Sequence, residues 1–85
     1  MITRHQVASK LAGYLTHQIS LDQLEKWALS AMMDEDFDPQ DIDLLSDIVS
    51  RIGLAKAQAF GLTWEDFESF LSRLGYRIQL QVLPA

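Results

Sequence analysis

Ile19-Ser20-Leu21-Asp22-Gln23-Leu24 is the stretch on which the fold class turns. Ser20 and Gln23 stand three apart, so each side chain can satisfy the other's free backbone N–H at a helix start. Ile19 precedes that cap and Leu24 follows it by four, the spacing of a hydrophobic staple. Leu24, Trp27, Ala28, Ala31 and Met32 then form one apolar stripe, which predicts a helix over about 21–33. Upstream, Thr3 with Gln6 has the same capping spacing. Val7, Ala8, Leu11, Ala12 and Leu15 line one side of a first helix, about 4–17. The connection between the two is so short that antiparallel neighbours are expected.

The pattern continues downstream. Asp38 is a helix cap and Pro39 takes the first helical position, where a missing N–H costs nothing. Phe37 and Ile42 repeat the staple spacing. Ile42, Leu45, Ile48, Val49 and Ile52 predict the buried face of a third helix, 39–52, which Gly53 terminates. Thr63 caps a fourth, 64–74, with Glu65 and Asp66 favourable to its dipole. Its apolar face is Trp64, Phe67, Phe70, Leu71 and Leu74, and Gly75 ends it. Tyr76, Ile78, Leu80 and Val82 alternate with polar residues, a period of two that predicts a strand over 76–82. Its partner is expected at 55–60, where Ala55, Ala57 and Ala59 also alternate with polar residues. The alternatives are that 55–60 extends the third helix, or that 76–82 pairs across a dimer. The expected architecture is mainly α: one domain over 1–85, a compact bundle of four short helices with a C-terminal β-strand.

Composition narrows the function. A chain of 85 residues that is 48% hydrophobic and 22% charged is globular and has room for one core. It has no cysteine, hence no disulfide and no thiolate metal site. The net charge of −5 comes from 12 acidic and 7 basic residues, and the basic ones are scattered singly. That argues against nucleic acid, whose phosphates need clustered Lys and Arg. After Met1 no apolar signal region follows, and no stretch is long and apolar enough for a membrane helix. The expected location is cytoplasmic.

No constellation points to catalysis. The serines sit in no nucleophile-elbow context, the glycines form no phosphate loop, and His5 and His17 are spaced too far apart to share a metal on one helix. Asp34, Asp36 and Asp38 match three positions of a calcium loop, but Pro39 and Leu45 stand where that loop needs glycine and a bidentate glutamate. No cofactor or metal is therefore expected. What stands out is charge. Asp34, Glu35, Asp36, Asp38, Asp41, Asp43 and Asp47 are seven of the 12 acidic residues. Helix electrostatics account for Asp38 and Asp41. For the others no cation nearby in sequence offsets the repulsion, which suggests a docking surface for a basic protein. Trp64, at a helix start, is a further candidate anchor.

The run Tyr14-Leu15-Thr16-His17-Gln18-Ile19-Ser20-Leu21-Asp22-Gln23-Leu24, followed by an acidic linker and another helix, resembles the small bacterial immunity proteins of the colicin D type. The likeness covers about residues 10–50, and His17 and Gln18 stand where those proteins often carry a glycine. It implies a helical bundle that blocks a tRNA-cutting toxin, with the acidic loop and third helix as the inhibitory face. The chain also looks like small bacterial proteins of this length for which no activity follows. The competing expectation is a structural or assembly subunit that dimerises through 76–82 or Trp64.

Overall fold

Each helix begins where a side chain takes up the first free amides. Thr3 Oγ1 accepts from Gln6 N at 3.2 Å and opens α1, Arg4–Leu15. Ser20 and Gln23 form the reciprocal box, with Ser20 N donating to Gln23 Oε1 at 2.8 Å and Gln23 N to Ser20 Oγ at 3.1 Å, and α2 runs Leu21–Asp34. Asp38 accepts from Gln40 N and starts a single 3-10 turn, Pro39–Asp41, which leads into α3, Ile42–Gly53. Thr63 and Asp66 make a second reciprocal box at the start of α4, Trp64–Arg73. The computed structural model describes residues 1–34, 36–55, 62–79 and Pro84.

Two helices end in the same way. After α1 the His17 amide donates to Tyr14 O and the Gln18 amide to Gly13 O, with His17 in the left-handed region at φ 63°. After α4 the Gly75 amide donates to Ser72 O and the Tyr76 amide to Leu71 O, with Gly75 at φ 92°. Both are Schellman motifs. The first places an L-residue where glycine is the usual occupant.

The core is drawn from all four helices. Val7 and Leu11 of α1, Leu24 and Ala28 of α2, Leu45, Ile48, Val49 and Ile52 of α3, and Phe70 of α4 are fully buried. Each large one contributes on the order of 1.5–3 kcal/mol of hydrophobic stabilisation. Tyr14 stacks on Phe67 with ring centroids 5.2 Å apart, which ties α1 to α4. Glu25, early in α2, is the one charged side chain in the buried set among the described residues. Ile2 is also fully buried, and its backbone pairs with the 36–38 loop in an isolated parallel bridge to Phe37.

The four helices are those the capping and stripe patterns predict, with ends shifted by a residue or two, except that the third begins at Ile42 and its first three predicted residues form the 3-10 turn. Other expectations change. α1 and α2 touch, as neighbours joined by a short connection should, but α2 packs chiefly on α3, while α1 makes narrower contacts with α2, α3 and α4. Ile42 is not core: it is the first residue of α3, directly after the 3-10 turn, and is 49% exposed. Met32, expected in the α2 stripe, is exposed as well.

The C-terminal strand is not supported. No strand occurs among the described residues, and 76–79 has no regular secondary structure. The cause is local: the Tyr76 amide closes the α4 cap, and Tyr76, which the alternation places inward, is exposed. Of the two described apolar residues of the alternation, Tyr76 and Ile78, it is Ile78 that packs on the core. Residues 80–83 and 56–61, which carry the rest of the strand and of its expected partner, lie outside the described residues; Ala55, two residues past α3, is buried. No helix among the described residues is long and apolar enough to cross a membrane.

Candidate functional site

The acidic run is held in shape by residues far from it in sequence. Ile2 N donates to Asp36 O at 2.6 Å, and Asp38 N donates to Ile2 O at 2.9 Å, so the loop after α2 is clamped on both sides of Phe37. Arg4 reaches across from α1 and donates to the Asp41 carboxylate at 2.8 Å, where the Asp41 side chain is only 16% exposed. That hydrogen bond, aided by the cation's charge and opposed by partial desolvation, holds the Asp41 carboxyl below its ordinary value and the Arg4 guanidinium above its own. Arg73, in the last turn of α4, pairs with Asp47 at 2.8 Å. Cations distant in sequence therefore offset part of a charge that looks uncompensated along the chain.

The acids thus divide. Asp38 caps the 3-10 turn, Asp41 and Asp47 are ion-paired, and Asp34 supplies the last residue of α2. Glu35 lies outside the described residues. Asp36 and Asp43 are exposed, and no cation among the described residues pairs with either. Beside them α2 and α3 leave an open depression of about 450 Å³ lined by Met32, Phe37, Ser46, Asp47 and Ser50. Met33, 82% exposed, continues the apolar surface along the end of α2. Thioether side chains of this kind adapt to varied partners. These methionines belong to the surface rather than to the core.

Trp64 does not join the acids. It is 42% exposed at the start of α4 and lines a separate groove of about 430 Å³ along α1. The floor of that groove is Ala8, Ala12, Leu15, Leu71 and Ile78. Ala8 and Ala12, one helical turn apart, leave the space, and 76–79 bounds it after Gly75 turns the chain back. His5 Nδ1 lies 3.3 Å from the Tyr76 hydroxyl and links α1 to that segment. The stripe pattern assigns Ala8 and Ala12 to the core, so it conceals the concavity that their small size creates.

Among the described residues no group of three or more His, Cys, Asp or Glu could hold a metal ion. No family model matches the chain, and no curated protein or solved structure matches it either.

Proposed function

We propose that this chain is a non-enzymatic protein-interaction module whose acidic face docks on a basic protein, in the way an immunity protein fills the cationic cleft of a nuclease. The observation that carries the reading is the pairing of Asp36 and Asp43 with a ready-made surface. Both acids are exposed, the loop bearing Asp36 is clamped to Ile2, and the neighbouring depression offers Met32 and Phe37. A fixed face loses little conformational entropy on docking, and its charge steers a cationic partner. Asp38, Asp41 and Asp47 support the face, while Trp64 lies apart from it.

The test is capture from source cells, followed by calorimetry with the purified partner at two salt concentrations. The expected result is a basic nuclease that the chain inhibits. Its affinity should fall at least tenfold in the D36N/D43N variant, and it should weaken as salt rises. A partner that binds the variant as tightly, or the recovery of no partner, overturns the reading.

A further inference from the structure

The groove along α1 has a charge character opposite to that of the chain. None of the described residues lining it is acidic, although the chain carries 12 acids, and the ionisable side chains that do line it with basic character are His5 and Arg77. At about 430 Å³ it falls within the range of small-molecule sites. Ala8 and Ala12 make a smooth apolar track with Leu71 and Ile78 beside it, and Trp64 supplies an aromatic wall.

We propose that this groove binds a free aliphatic carboxylate of medium chain length, with the alkyl chain along Ala8 and Ala12 and the carboxylate at Arg77. The fork of guanidinium donors matches a carboxylate, and the alanine track matches an unbranched chain. This site shares no residue with the acidic face and stands independently of the docking reading.

Trp27→Phe leaves Trp64 as the sole tryptophan of the chain, so its fluorescence reports on the groove. In that background octanoate, decanoate and dodecanoate are titrated below their micellar concentrations, alongside alkyltrimethylammonium ions of matched length. The expected result is a saturable change with the carboxylates, tightening roughly fourfold per added methylene until the groove is full. The ammonium series should bind far more weakly. Ala12→Leu fills the track at an exposed helical position and should weaken binding at least tenfold, with circular dichroism showing an intact fold. Arg77→Gln should abolish the preference for carboxylate over ammonium. The proposal is overturned by the absence of saturable binding, by equal affinity for the two series, or by an unaffected Ala12→Leu variant. A dimer that buries Trp64 and ignores added carboxylate also overturns it, since the groove then belongs to a second copy.

Discussion

Asp41 and Asp43 stand two positions apart and live in different surroundings. Asp41 is largely covered and tied to Arg4; Asp43, in the first turn of α3, is exposed. The same division separates Asp47, held by Arg73, from Asp36. The contrast teaches that a run of acids is not a uniform surface. Some of its charge is used inside the molecule to fasten α1 and α4 to the 41–47 region, and the remainder is displayed. The exposed Arg73–Asp47 pair adds little stability, so its main effect is on geometry and on the charge left for a partner.

The largest way to break the contrast is to remove the clamp beneath it. Ile2→Ala empties a fully buried site and should cost about 2–4 kcal/mol in denaturant unfolding. It should also raise amide exchange at Asp38, whose N–H bonds Ile2 O.

Acid titration sharpens the contrast next. The Asp41 carboxyl is lowered by the Arg4 hydrogen bond, and that of Asp66 by the Thr63 backbone N–H, so both contribute stability in the ionised form. That contribution is full above the ordinary aspartate value near 3.9 and is lost as pH falls through the lowered folded values. In unfolding measured from pH 6 downward, D41N/D66N should start less stable and lose less than the parent.

The α1 cap offers a smaller effect of opposite sign. His17→Gly relieves an L-residue in the left-handed region and should raise stability by about 0.5 kcal/mol, since the relief of about 1–2 kcal/mol is offset by glycine's greater unfolded freedom. The smallest effect is expected of D36N/D43N on stability, within about 0.5 kcal/mol in thermal unfolding. A larger loss there would show that these acids, too, serve the fold.

Local signals carried the helices. Ser20 with Gln23, and Thr63 at the start of α4, act within one turn and read directly from spacing. The Thr63–Asp66 box is less legible, because aspartate stands where glutamate or glutamine is the usual signal. What the chain hides is long-range. Arg4 and Asp41 are 37 residues apart, and no periodicity announces their meeting. Ile2 has no stripe to belong to, yet it is fully buried. At 76–79 the alternation was a real pattern, but the cap of α4 claims the Tyr76 amide before any ladder can. Ile42 shares a stripe with Leu45 and Ile48, yet as the first residue of α3 it is exposed. The acids were legible as residues, and their division into tethered and displayed was not.

The bridge at Ile2 makes the acidic loop answerable to a residue far from it in sequence. Ile2 supplies both backbone bonds and a core side chain. A change at position 2 therefore unfastens the 36–38 loop with nothing altered near it, so a substitution scan confined to the acidic run would miss the residue that governs its shape.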